Sequence, residues 1–304
     1  MYIQDAISQL SQQQNLNAHT CEQIVDEIAR NEASDIQIAA FLSLLHAKTE
    51  TSDELLGMVQ GLRKYIIPVK TQHKLLDLVG TGGDRSNTVN ISTGSAILAA
   101  ACGVKVAKHG SRAVSSLAGS ADVLEALGIM IDLTPEQISN SIDQIGIGFC
   151  HAPQFNPVML QLRPVRRALG FPTCLNLLGP LLNPASADNY VLGVYNKSCM
   201  MKIAEVLQKL STKRSVIVHG AGLDELSCIG AATIIEIAND QLEVSTFNPY
   251  EHGVPLCTVT DLQGGDALTN ANILITAFKG KKSAISDTLI INAAMAMFIY
   301  ELHA

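Results

Sequence analysis

Twice in succession this chain runs a short apolar, β-prone segment into a loop of small residues and out again into a helical pattern. Leu75–Val79 delivers Gly80-Thr-Gly-Gly-Asp84, and Val104–Lys108 delivers His109-Gly-Ser-Arg112, followed by AVSSLAGSADVLEALG. YVLGVY leading into MMKIAEVLQKL, and SVIVHG followed by TIIEIA, continue the run of β-prone segments. A strand that feeds a helix returns to its sheet by a crossover, so neighbouring strands run parallel. The pattern predicts an α/β fold with a central, largely parallel sheet. It also predicts ligands at the carboxyl ends of the strands, where loops feed helices.

The first 67 residues have another texture. Apolar positions fall at helical spacing in CEQIVDEIAR and IQIAAFLSLL. Ser34, and Thr51 or Ser52, stand where helix N-caps are expected, with acids in the following turn. Pro68 and the polar KTQHK interrupt the pattern, which places a boundary near residue 67: a small all-helical domain over 1–67 and a large α/β domain over 68–304. Hydrophobic residues are 47% and charged residues 16% of the chain, a globular composition. Lys and Arg number 21 against 28 Asp and Glu, a net charge of −7. That argues against a nucleic-acid partner held by bulk charge and leaves room for a local basic pocket. The seven cysteines are scattered and form no CxxC pair, so they read as free thiols in a reducing compartment. MYIQDAISQLSQQQ lacks the basic and apolar regions of a signal peptide, and a cytoplasmic location is expected. LIINAAMAMFIY at 289–300 is short for a bilayer span and reads as a buried helix, so no membrane partner is expected.

Three loops carry chemistry. In the first, the glycines of Gly80–Asp84 let a ligand approach the backbone, and the helix after Asn90-Ile-Ser92-Thr93 offers free N–H groups to an anion. The spacing is neither that of a P-loop nor that of a dinucleotide fingerprint, and a tight turn with an N-cap would explain it too. In the second, Ser115, Ser116, Gly119 and Ser120 precede a helix, while Lys108 and Arg112 supply positive charge. Ser120 as an N-cap and Lys108 as a solvated charge form the alternative. Two such loops on one sheet suit a ligand with two separate phosphate groups. The third, SVIVHGAGLDELS, places Asp224 and Glu225 after a strand, where they can hold Mg²⁺ or can simply face a helix N-terminus. A fourth segment, Pro164-Val-Arg166-Arg167, offers guanidinium groups to a carboxylate, or to solvent.

In this order GTGGD, NIST, KVAKHGSR, SSLAGSADVLEALG, GIGF, PVRR, NLLGPLLNPA, GVY, HGAGLDELS, LQGGD and NAA resemble the anthranilate phosphoribosyltransferase family. The likeness runs over nearly the whole chain and is most specific over Asp77–Gly128 and Pro164–Ser227. The resemblance implies a helical domain joined by hinges to the α/β domain, with part of 160–180 packing back on the helices, and a homodimer formed through the helical domain. It implies transfer of the phosphoribosyl group of PRPP to the amine of anthranilate in tryptophan biosynthesis, with Mg²⁺ as cofactor. Carried over by motif, Gly80, Thr81, Gly83, Asp84, Thr88, Asn90, Ser92, Thr93, Lys108 and Ser120 would bind PRPP. Asp224, Glu225 and Ser92 would hold the metal, and Gly80, Ser111, Asn156 and Arg166 would face the acceptor. No general base is implied: Lys108 and metal-bound diphosphate would carry the charge of the leaving group.

The departures from the family pattern cluster on the acceptor side. Ser111 replaces the usual Asn, Asn156 the usual His, and Pro172-Thr-Cys-Leu175 precedes Asn176 where Arg-Thr-Ile-Phe is usual. The chain stops at Ala304, where relatives usually continue. Two other readings remain at this point: a phosphoribosyltransferase with another aromatic acceptor, and a non-catalytic homologue binding nucleic acid or a protein partner. The net charge of −7 and the intact Asp224-Glu225 pair count against the second.

Overall fold

A computed structural model describes residues 1–84, 86–113 and 116–301; Ser115, read above as part of the second loop, lies outside them. The chain opens with four helices, α1 (Tyr2–Ser11), α2 (Ala18–Ala29), α3 (Asp35–Lys48) and α4 (Ser52–Arg63). Ser34 and Thr51 are the N-caps of α3 and α4, each closing a reciprocal capping box with the side chain three residues on. Glu54 is wholly buried and ties the bundle together. It accepts from the Leu16 and Thr51 amides at 2.8 Å each and from Lys48 Nζ at 3.0 Å.

The larger part is built on a seven-stranded sheet in the order β3-β2-β1-β4-β5-β6-β7. The strands are β1 (Leu76–Gly80), β2 (Val106–Gly110), β3 (Ile147–His151), β4 (Asn189–Gly193), β5 (Arg214–Gly220), β6 (Ala232–Ala238) and β7 (Gln241–Phe247). The first five are mutually parallel, and β6 and β7 run antiparallel. Helices α5 (Ile91–Ala101), α6 (Ser120–Ala126) and α7 (Pro135–Ile145) link β1 to β2 and β2 to β3. Short helices α8 (Ala152–Phe155), α9 (Pro157–Gln161), α10 (Arg163–Leu169) and α11 (Leu175–Leu178) fill the path to β4. Helices α12 (Met200–Lys209), α13 (Ala267–Phe278) and α14 (Ala284–Tyr300) complete the chain.

The α/β class and the largely parallel sheet expected from the sequence are found. TIIEIA is no parallel strand after a helix, however. It pairs antiparallel with SVIVHG across the loop that carries Asp224 and Glu225, so no helix begins after those acids. Helix α5 starts at Ile91, two residues before Thr93, and Gly119 rather than Ser120 caps α6. Gly119 lies so close to the backbone of 111–113 that a side chain would overlap it. Helix α14 is not buried throughout, since Ile290 and Phe298 are exposed.

Alternation along the strands gives the sheet two apolar faces. Leu76, Leu78, Val106, Val191, Val216 and Val218 pack toward α5 and α14. Ala107, Cys150, Tyr190, Leu192, Ile217 and Ile235 join the cluster that includes Phe41, Leu45 and Leu55 of the N-terminal helices. Several polar contacts cross the same junction. Arg63 donates from Nε and Nη2 to the Leu181 carbonyl at 3.1 and 2.9 Å, and Gln161 Nε2 donates to the Ile28 carbonyl at 2.8 Å. Strands β6 and β7 are joined by Asn239-Asp240, with φ of 51° and 58°, the left-handed pair of a tight hairpin turn.

Glu54→Gln should leave Lys48 buried without its counter-charge and lower unfolding free energy by about 3–5 kcal/mol. Denaturant unfolding of the two proteins measures it.

Candidate active site

The strand order reverses at β1 and β4: β2 and β3 lie to one side, β5 to the other. At such a switch point the following loops diverge and leave a crevice. Gly80 and Gly193, the last residues of β1 and β4, are register partners there. The loop from β5 folds back over them. A Cβ on Gly80 would overlap the Asp224 carboxylate, one on Gly193 the Asp224 backbone, and one on Gly220 the Glu225 carbonyl. Leu223 and Leu226 flank the acidic pair and are buried in separate apolar clusters. Each such side chain contributes about 1.5–3 kcal/mol by burial, so the two hold the loop down on either side of the acids.

Held this way, Asp224 is buried and Glu225 half-buried. Asp224 Oδ2 accepts from the Gly82 amide at 2.7 Å, and Glu225 Oε1 accepts from the Ser92 amide in the first turn of α5 at 3.2 Å. Burial, with Asp84 nearby, pushes the Asp224 carboxyl up to about 6. Burial and the neighbouring Asp224 raise Glu225 well above the usual carboxylate range. Asp224, Glu225, Ser92 and Asn292 of α14 line one small cavity. Asp224, Glu225 and the Ser92 hydroxyl form an all-oxygen donor set, which fits a hard cation such as Mg²⁺. Among the described residues no three His, Cys, Asp or Glu side chains form a complete cage, so such an ion would keep water or ligand oxygens.

The first glycine loop is fixed from below. The Thr81 amide donates to the Gly193 carbonyl at 2.9 Å, and Thr81 Oγ1 accepts from the Tyr195 amide at 3.3 Å. Gly82 and Gly83 have φ of 66° and 93°, which favours glycine, and the Tyr195 ring lies beneath Gly83. Asp84 accepts from the Ser86 amide and hydroxyl at 3.1 and 2.8 Å. Thr88 bridges to Gln263. Asn90 holds neighbouring segments together: Nδ2 donates to the Ala118 carbonyl at 3.0 Å, and Oδ1 accepts from Asn270 Nδ2 at 2.8 Å.

The second loop comes to the same rim. Thr93 Oγ1 and Ser120 Oγ are 3.0 Å apart. Lys108 is not a solvated charge. It is buried, donates to the Leu78 carbonyl at 2.7 Å, and lies 3.5 Å from Ser92 Oγ. Burial lowers its pKa, while Asp77 and Glu225 oppose the shift. Arg112 is taken up by Glu125 and Asp122 instead of facing the crevice. Ser111 is partly exposed, with its hydroxyl donating to the Arg112 carbonyl at 3.0 Å.

On the other face of β2 is a buried polar chain of which the sequence reading caught only one member, Asn156. Asp77 accepts from the His109 amide at 3.2 Å and from Asn183 Nδ2 at 2.7 Å. Burial raises its carboxyl to about 6. Burial, with the Lys108 charge, lowers the His109 imidazole to about 4. The Gly179 backbone near the ring opposes that shift, and His109 Nε2 faces Asn156 Nδ2 at 3.2 Å. Asn156 Nδ2 also donates to the Ala152 carbonyl at 3.3 Å, which leaves His109 Nε2 to accept. Asn156 Oδ1 is buried with no partner among the described residues. Arg166 is half-buried on α10, and burial lowers its guanidinium from its usual range. Gly193, Gly220, Tyr195, Asp77 and Asn183 were missed as site residues. The glycine at the end of each of β1, β4 and β5 is the signal that could have found the first two.

Comparison with known proteins agrees with this architecture. Residues 72–304 match the model described as glycosyl transferase family, a/b domain, and residues 4–66 the glycosyl transferase family, helical bundle domain. The chain is 44% identical over 299 residues to the anthranilate phosphoribosyltransferase of Chlamydia caviae, covering 98% of this chain and 87% of that one. It is 42% identical to that of Lactiplantibacillus plantarum, covering 98% and 88%. The crystal structure of anthranilate phosphoribosyltransferase from Thermus thermophilus superposes with a TM-score of 0.93 at 36% identity, over 98% of this chain and 90% of that one. The enzyme from Saccharomyces cerevisiae in complex with PRPP and Mg gives 0.89 at 25% identity, over 99% and 89%.

The low His109 pKa has a measurable sign. The imidazole contributes stability above its unfolded value of 6.5, and that contribution is lost as pH falls toward about 4. Asp77 acts oppositely between 3.8 and about 6. His109→Gln should therefore flatten the fall in stability from pH 7 to pH 4, read as melting temperature against pH.

Proposed function

The chain belongs to the anthranilate phosphoribosyltransferase family, and we propose that it transfers the phosphoribosyl group of PRPP to the amine of anthranilate, releasing diphosphate, in tryptophan biosynthesis. The observation that carries this reading is the convergence, at one switch point, of two small-residue loops and a closely held acidic pair.

The residues take the following roles. The Gly80–Asp84 loop, with Gly80, Thr81, Gly83 and Asp84, presents close backbone to the diphosphate, and Thr88, Asn90, Ser92 and Thr93 carry that cradle to the N-terminus of α5. Ser120, bonded to Thr93, brings the second loop to the same ligand. Lys108 offers a buried cation beside Ser92. Asp224, Glu225 and Ser92 would hold Mg²⁺, which when bound with the diphosphate would neutralise charge on the leaving group. The sugar carbon becomes electron-poor as diphosphate departs, so the chain's main task is to stabilise the leaving oxygens and hold the amine in line. Anthranilate's arylamine is already a nucleophile and needs no activated side chain. Arg166 faces its carboxylate by paired hydrogen bonds, while Gly80, Ser111 and Asn156 line the remaining acceptor surface. At neutral pH His109 is uncharged and holds no proton on the nitrogen facing Asn156.

The free cysteines suit a reducing, cytoplasmic setting, and among the described residues no helix is long and apolar enough to cross a membrane. A homodimer through the helical domain completes the proposal.

Purified protein given PRPP, Mg²⁺ and anthranilate should quench anthranilate fluorescence, and chelating the metal should stop the loss. A flat trace at saturating substrates would sink the assignment. Arg166→Ala should raise the KM for anthranilate about 10–100-fold, the loss of a charge-assisted pair, with a much smaller change for PRPP. Steady-state kinetics with each substrate varied in turn decides it.

A further inference from the structure

We infer that Asn292, on α14, is a positioning residue that sets the acidic pair at the strand ends, an inference that rests on the phosphoribosyl-transfer reading. Its buried carboxamide brackets one residue of the loop. Oδ1 accepts from the Leu226 amide at 3.2 Å, and Nδ2 donates to the Leu226 carbonyl at 2.8 Å. Nδ2 also donates to the Thr288 carbonyl at 2.8 Å, which fixes the rotamer against its own helix. Leu226 directly follows Glu225, so the bracket acts one residue from a proposed metal ligand, and Asn292 itself lines the cavity shared by Ser92, Asp224 and Glu225.

The chemistry asks for this side chain. An aspartate could accept from the Leu226 amide but could not donate to its carbonyl, and a glutamine would reach one methylene too far. Without the bracket two buried backbone groups lose their partners, and the loop's nearest alternative is to move toward water. The position of α14 matters as much. It packs on α5, whose Ser92 amide holds Glu225, and on β4, whose Gly193 lies under Asp224. One helix thus fixes the acids relative to both the hydroxyl and the strand end that complete the site. Thr288, one turn earlier on the same face, bonds Cys228 instead: its hydroxyl accepts from the Cys228 amide at 3.5 Å and lies 3.2 Å from Sγ. It provides a control that is equally buried but three residues removed from Glu225.

The test is Mn²⁺ binding to the folded protein in the presence of diphosphate, followed by electron paramagnetic resonance alongside thermal melting. Asn292→Leu, matched in branching and heavy-atom count, should weaken Mn²⁺ about 10–100-fold, the usual effect of removing a group that orients a ligand. Thr288→Val should lower the melting temperature yet keep Mn²⁺ affinity within about twofold. Should Asn292→Leu not fold, Asn292→Ser carries the same expectation. Unchanged Mn²⁺ affinity in the Asn292 variant overturns the inference, as does an equal loss in Thr288→Val, which would make the effect one of general stability. Wild-type protein that turns over anthranilate while its Asn292 variant binds Mn²⁺ normally contradicts this inference alone. Wild-type protein that binds Mn²⁺ but transfers nothing to anthranilate, with weakened binding in the variant, supports the positioning role and refutes the transferase reading.

Discussion

How closely one loop can lie on the ends of three strands governs the rest of the site. Gly80, Gly193 and Gly220 remove the Cβ atoms that would hold residues 224–225 away, and Leu223 and Leu226 sink into separate apolar clusters on either side. Two carboxylates are thereby drawn largely out of water next to each other, Asp224 buried and Glu225 half-buried, with backbone N–H groups of Gly82 and Ser92 as their compensation. Burial and mutual repulsion both disfavour the charged pair, so the site gains most when a cation arrives. The proposed metal affinity and the shape of the sheet are in this sense one property.

Strand β2 then divides the work between the two faces. Lys108 and His109 are consecutive and point oppositely. Lys108 turns to the face of α5, beside Ser92, where the donor is proposed to sit. His109 turns to the face shared with the N-terminal helices, where it meets Asn156. Asp77 on β1 reaches the His109 amide and Asn183, and stabilises the Lys108 charge as well. The Lys108 and His109 side chains are thus separated by one layer of backbone and coupled by one buried carboxylate.

Much of this was legible in the sequence, and the rest failed for identifiable reasons. The strand-loop-helix units at Leu75–Ala101 and Val104–Ala126 are local patterns, and they gave the fold class and both loops. Ser34 and Thr51 could be read as caps because a capping box spans only four residues. Strand β3 was lost because Gly148 interrupts its apolar run, and β7 because Val244 and its neighbours face solvent and leave little apolar signal. Arg112 looked available to a phosphate, yet Glu125, thirteen residues on, claims it. Asp77 with Asn183, and Asn292 with Leu226, pair residues far apart in the chain, and no periodicity announces such partners.

The antiparallel turn of the last two strands has an effect on where this protein can change. Because β6 runs back from the acidic loop, its hairpin at Asn239-Asp240 emerges beside Arg214, at the amino ends of the parallel strands. Every proposed substrate contact lies at their carboxyl ends. The hairpin tip is therefore a place where length and sequence can drift, or a fused segment be accepted, without touching the chemistry on the opposite rim.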